Sequence, residues 1–166
     1  MTYFFWILLY IPTILFVASD VPHLPQGTTQ FTPSNDAPVT ADAIVAEVNR
    51  YRAEKGLAPL KILPLANEMA LQHSTAMALG KVPFSHNGFE QRIQRIQKNE
   101  SRFIGRSAEN VAYGYLTVND VVAGWIRSNG HRKNIEGASF NYTGVGVATN
   151  EDGVLYYTQI FLSVQE

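Results

Sequence analysis

Apolar side chains recur at helical spacing from Ala41 to Lys55, where Ile44, Val48 and Tyr51 share a face with Val45 beside them. Thr40 suits the N-cap, Asp42 favours the first turn, and Gly56 stops the helix. Leu57 to Leu63 reads as a connector that includes Pro59. Pro64 then opens a second helix running to about Leu79 and ending at Gly80, with Leu65, Met69, His73 and Ala76 on its face. Asn87 is placed to cap a short helix through Phe89, Ile93 and Ile96, and the polar stretch Asn99 to Arg106 reads as a loop. Thr117 with Asp120 resembles a capping box with Asp in place of Glu, and a helix carrying Val121, Val122 and Trp125 follows to about Asn129-Gly130. The period then changes. Tyr142 to Ala148 alternates, Asn150 to Gly153 is a turn, and Val154 to Val164 is a second strand. Helices first and a terminal hairpin predict an α+β layered domain, with helices packed on an antiparallel sheet.

The domain should begin near residue 40. Residues 20–39 hold Pro22, Pro25, Pro33 and Pro38 among small polar residues, the composition of an extended linker. Residues 1–19 differ again: Tyr3 to Ala18 is apolar apart from Pro12 and Thr13, and Val17-Ala18-Ser19 offers a small-residue cleavage site. The run is shorter than the roughly 20 residues that span a bilayer core, and no Lys or Arg precedes Arg50. It reads as a cleaved export signal; an uncleaved membrane anchor through residues 3–18 and a buried N-terminal helix are the alternatives.

Composition narrows the chemistry. The 166 residues are 46% hydrophobic and 16% charged, enough for one domain with a full core. A net charge of −1 implies no basic patch and argues against nucleic acid as a partner. Without cysteine the fold has neither disulfides nor thiolate ligands, so a metal would be held by His, Asp, Glu or oxygen donors.

Polar clusters interrupt this pattern in order: Ser85-His86-Asn87-Gly88-Phe89, Ala108-Glu109-Asn110-Val111-Ala112, Gly130-His131-Arg132-Lys133-Asn134-Ile135 and Tyr156-Tyr157-Thr158-Gln159-Ile160-Phe161. Buried imidazoles and carboxylates are costly unless they pair with each other or hold a metal. The small and apolar neighbours of Glu109 should desolvate it, so it either finds a cation or stays protonated. His131 either caps the preceding helix C-terminus or points into a cleft. His73, mid-helix among apolar residues, reads as a hydrogen-bonded core histidine. His86, Glu109 and His131 would suffice for a zinc or other divalent-cation site with an open fourth position, although their spacing matches no local metal motif. A metal-free acid–base pair and a closed structural network use the same groups. No phosphate-binding glycine loop and no nucleophile elbow is present.

With these clusters in place the chain resembles the CAP superfamily (cysteine-rich secretory proteins, antigen 5, pathogenesis-related 1), closest to its cysteine-free bacterial branch, from about Val39 to Val164. The supporting segments are Asn49-x-x-Arg52-x-x-x-Gly56-Leu57-x-Pro59-Leu60, Ala70-x-x-His73-Ser74-x-x-Met77-Ala78, His86-Asn87-Gly88-Phe89, Glu109-Asn110-Val111-Ala112, Trp125-x-x-Ser128-x-Gly130-His131-Arg132-x-Asn134-Ile135, Phe140-x-x-x-Gly144-Val145-Gly146 and Tyr157-Thr158-Gln159-Ile160-Phe161. The resemblance implies an α-β-α sandwich, a central antiparallel sheet between helical layers, and it implies secretion. It also implies a cleft that in many relatives carries two His and two Glu able to bind a divalent metal. His86 and Glu109 match two of those positions; Ser128 falls where the second Glu would be and Tyr156 where the second His would be. The tetrad is therefore incomplete, with His131 a candidate for the vacated space.

The expected function is an exported binding domain. Its cleft, lined by His86, Asn87, Glu109, Ser128, His131, Tyr156 and Gln159, would hold a small ligand, lipid, peptide or cation. A zinc-dependent hydrolase of peptides or cell-envelope polymers and a structural or adhesive surface module are the alternatives.

Overall fold

The computed structural model describes residues 38–165; the expected leader (1–19) and most of the expected linker (20–39) lie outside the described residues. Thr40 caps helix α1 (Ala41–Glu54) by accepting from the Ala43 N–H at 3.2 Å. Strand β1 (Lys61–Ile62) leads into α2 (Pro64–Ala78), which has Pro at its first position. Helix α3 (Phe89–Asn99) is followed by strand β2 (Ile104–Tyr113) and by α4 (Val118–Arg127), whose Thr117 cap accepts from Asp120 N–H at 3.1 Å. A second short helix, α5 (Asn129–Ile135), precedes the hairpin β3 (Tyr142–Thr149) and β4 (Leu155–Val164).

The sheet order is β1-β3-β4-β2. The three long strands are antiparallel, as expected, while β1 adds one short parallel pair to β3 within the segment read as a connector. Each face of the sheet has its own core. Ile44, Val48, Val121, Trp125, Tyr157 and Phe161 pack on the side of α1, α4 and α5. Ala66, Met69, Ile96, Ile104, Ile160 and Leu162 pack on the side of α2 and α3. Alternation along β4 sends Tyr157 and Phe161 one way and Ile160 and Leu162 the other. The result is the expected α-β-α sandwich.

Helix α2 lies directly on β3. A Cβ added at Gly144 would meet the Ala66 backbone at 2.2 Å, and one at Gly146 the Leu71 backbone at 2.1 Å. Hydrogen bonds from Ser74 Oγ to Gly146 O at 3.0 Å and from Val145 N–H to Asn67 Oδ1 at 2.8 Å fix the contact. Buried Arg52 ties α1 to the turn before β3 by donating to the carbonyls of Ala58, Ile135, Gly137 and Phe140.

Strand β2 departs most from the sequence reading, which had a loop through Arg106 and no strand around Glu109. Its residues do not alternate cleanly because both faces of its second half are covered. Pairing with β4 makes it a strand, and that pairing contains an irregularity between Ile104 and Ser107. Residue parity reverses there. Ile104 lies opposite Val164 and Glu109 opposite Ile160, so both face α2 and α3, although five positions apart they would face opposite ways in a regular strand. The irregularity therefore decides which layer receives the Glu109 carboxylate.

Candidate functional site

Three local devices bring the site together. Gly88, with φ 78°, turns the chain in the left-handed region and starts α3, so Gly88 and not Asn87 occupies the cap position. The first turn of α3 then carries Arg92 towards β2. The irregularity in β2 aims Glu109 at the same place, and the 83–88 loop hangs His86 over both.

Glu109 is the centre. Its side chain is 2% exposed. Arg92 donates to it through Nε (3.0 Å to Oε2) and through a second guanidinium nitrogen (2.6 Å to Oε2, 2.8 Å to Oε1), and also donates to Asn87 O at 2.9 Å. The buried carboxylate has thus found a cation, and that cation is the guanidinium of an 11%-exposed arginine. His86 Nδ1 lies 3.0 Å from Glu109 Oε1. An ionised carboxylate only accepts, so the imidazole donates from Nδ1, and Nε2 is an acceptor whenever the ring is neutral. With its side chain 53% exposed, His86 offers that atom at the surface. Among the described residues no Ser or Thr hydroxyl is hydrogen-bonded to His86, so the pair is not part of a hydroxyl-based nucleophilic triad.

The geometry lends the expected metal site no support. Among the described residues no group of three or more His, Cys, Asp or Glu side chains is placed to hold a metal ion. Both Glu109 oxygens are engaged by Arg92 and His86. A cation coordinated there would have to displace a guanidinium from a nearly dry site. Among the described residues His86, Glu109 and His131 are thus not grouped as a ready three-ligand centre, and the positions matching the missing tetrad members, Ser128 and Tyr156, supply no strong ligand.

The other expected site residues divide. His131 sits inside α5, not at the end of α4, because Ser128 closes α4 and at once starts the next helix. It lines a cavity of about 260 Å³ with Phe84, Tyr113, Tyr115, Trp125 and Ser128. Burial pushes the His131 imidazole below the ordinary histidine range, and nearby His86 adds to the effect. Asn87 is exposed and contributes its carbonyl. Tyr156 stacks on Tyr113 across the β2–β4 pair, with ring centroids 5.7 Å apart. Gln159 is not in the cleft: it is fully buried on the α1 side and donates to Thr143 Oγ1 at 3.1 Å. His73 is the core histidine expected, its Nε2 2.8 Å from Ser85 O, and it anchors the loop that carries His86. Arg92 escaped the sequence reading, which treated its helix only as an apolar face. An arginine six residues after His86, in the first turn of the helix that follows, was the available signal.

A profile of the cysteine-rich secretory protein family, CAP, matches residues 45–161. The chain belongs to this family. Two Bacillus subtilis proteins are similar to this CAP domain: the uncharacterized membrane protein YlbC, 33% identical over 116 residues (69% of this chain, 32% of YlbC), and YkwD, 30% identical over 152 residues (87% of this chain, 56% of YkwD). The chain thus spans about a third and just over half of the lengths of these relatives. Among solved structures, a cysteine-rich secretory protein from Staphylococcus aureus superposes with a TM-score of 0.61 at 25% identity, covering 74% of this chain and 38% of that one. An extracellular Bacillus anthracis protein containing an SCP domain gives 0.61 at 26%, covering 75% and 44%. An outer surface protein of Borrelia burgdorferi gives 0.62 at 19%, covering 75% and 92%, and so shares the CAP fold.

Proposed function

We propose that this CAP domain is an exported ligand-binding module that works without a catalytic metal. The observation that carries the reading is the closed charge pairing of Glu109 with Arg92, beside a cleft in which the Ser128 hydroxyl and the His131 ring have no hydrogen-bond partner among the described residues. The buried charge is satisfied internally and holds His86 in one orientation. His131 and Ser128 offer hydrogen-bonding groups beside an aromatic wall, a lining suited to recognition, and the exposed His86 ring lies outside that cavity, near enough to His131 to affect its charge. Export is supported by the apolar leader and by the likeness to an extracellular SCP-domain protein.

The test is a ligand screen by amide chemical-shift mapping on the isotopically labelled chain, with product analysis of every mixture. Saturable shifts clustering on the 83–88 loop, β2 and α5, with no ligand consumed, are the expected result. Consumption of a defined substrate that disappears in His86→Ala would replace the reading by an enzymatic one.

A further inference from the structure

Three rings lie in contact along one rim of the cleft. Phe84 packs edge-on against Tyr113, with centroids 4.8 Å apart and planes at 65°, and Tyr113 stacks on Tyr156 with planes 19° apart. They are not core residues: Phe84 is 46% and Tyr113 54% exposed. Phe84 and Tyr113 also line the 260 Å³ cavity, so the aromatic surface begins inside it and continues past it to Tyr156.

The chemistry of the lining narrows the occupant. None of the cavity-lining residues is Asp, Glu, Lys or Arg, and His131 is held towards its neutral form by burial. A charged ligand would find no counter-charge. Ser128 Oγ, the His131 ring and the Tyr113 and Tyr156 hydroxyls have no hydrogen-bond partner among the described residues, so a purely hydrocarbon ligand would leave them unmatched. An extended peptide cannot add to the free edge of β2 through its carbonyls, because Trp125 Nε1 donates to Val111 O and Asn134 Nδ2 to Glu109 O, both at 3.3 Å. The cavity is below the about 300–1,000 Å³ that encloses a drug-sized ligand. It has room for one ring of a longer molecule whose next units lie on the aromatic rim.

Resting on the binding-module reading, we infer that the Phe84–Tyr113–Tyr156 rim and the adjoining cavity bind a neutral polysaccharide. One hexose ring enters beside Ser128 and His131, and its neighbours stack their apolar C–H faces on the tyrosines. A pyranose ring has the required two-sided character: C–H bonds on its faces meet the electron-rich face of an aromatic ring, and equatorial hydroxyls meet the imidazole and hydroxyls at the edge. Tyrosine suits the task because it combines a rigid stacking surface with a polar tip.

The experiment titrates the full labelled chain with cellohexaose and with chitohexaose, whose N-acetyl groups distinguish plain from N-acetylated glycans, and with hexaproline and a heparin hexasaccharide as alternatives. Saturation at roughly millimolar concentration or below by at least one neutral hexasaccharide is expected, with shifts at Phe84, Tyr113, Ser128 and His131. Affinity should fall about tenfold or more in Tyr113→Ala and in Tyr156→Ala, and less in Tyr113→Phe. Melting temperatures near the parent value in these variants separate lost binding from lost folding. No saturable shift with either neutral glycan, or affinity unchanged in both alanine variants, overturns the inference. Hexaproline or heparin binding at this rim in their place overturns the glycan assignment but leaves the binding-module reading standing; only turnover of a ligand removes both.

Discussion

Replacing Arg92 by Met isolates the energetic centre of the site. Methionine keeps most of the stem volume and removes the guanidinium that donates to both oxygens of Glu109. With Glu109 2% and Arg92 11% exposed, solvent screens this pair weakly. Removing one partner of a buried ion pair costs about 3–5 kcal/mol, because the remaining charge is left desolvated. For a domain of this size each kcal/mol moves Tm by about 3–5 °C, so Arg92→Met should lower Tm by on the order of 10–20 °C. Adding Glu109→Gln should return much of that loss, since a neutral amide has far less to lose in a dry site. His86 then loses its carboxylate anchor, so the double variant regains stability but not the oriented imidazole. The assay is thermal unfolding by circular dichroism of the four proteins of the cycle at neutral pH. A single-variant loss of under about 1 kcal/mol, or strictly additive losses in the cycle, would refute the argument that Glu109 depends on Arg92 for its counter-charge.

Three further outcomes are expected. His86→Ala should change stability by less than about 1 kcal/mol, because its 53%-exposed side chain makes a solvent-screened contact; a Tm loss comparable to that of Arg92→Met would show His86 to be structural. His73 and His131 should titrate below the ordinary value of about 6.5 in proton NMR, through burial in both, opposed in His73 by the Ser85 carbonyl and reinforced in His131 by His86. Because the unfolded chain takes up those protons first, their contribution is full above about pH 6.5 and declines as pH falls towards the folded-state values, so Tm should drop on mild acidification; NMR midpoints at or above 6.5 would contradict this. Gly146→Ala should prevent the α2–β3 contact and leave little folded protein by circular dichroism, since its Cβ would lie 2.1 Å from the Leu71 backbone nitrogen; a variant with parent-like Tm would show that α2 can move away.

Local chemistry written in the chain determined much of this protein. Helical periodicity with Thr40, Thr117, Gly56 and Gly80 as punctuation marked α1 and α2 to within a residue and the start of α4, and alternation about Asn150–Gly153 marked the terminal hairpin. Those signals depend on neighbours in sequence, so they survive without knowledge of the fold. The layered α+β architecture follows from them, and so does the need of an apolar-flanked Glu109 for a partner. What the partner is, and on which side of the sheet, was decided only by tertiary structure. Strand β2 exists because β4 pairs with it, and a single irregularity after Ile104 reverses its parity. Helix α5 divides what read as one helix end, carrying His131 into the wall of a cavity. Gln159, one residue from Thr158 and indistinguishable from a cleft residue by its surroundings in sequence, faces the opposite layer. Arg92 and Glu109 are seventeen residues apart and meet through a left-handed glycine, a helix turn and a strand irregularity acting together. Electrostatic pairing requires contact in space, and the register that creates the contact is settled by long-range pairing that no short window of sequence contains.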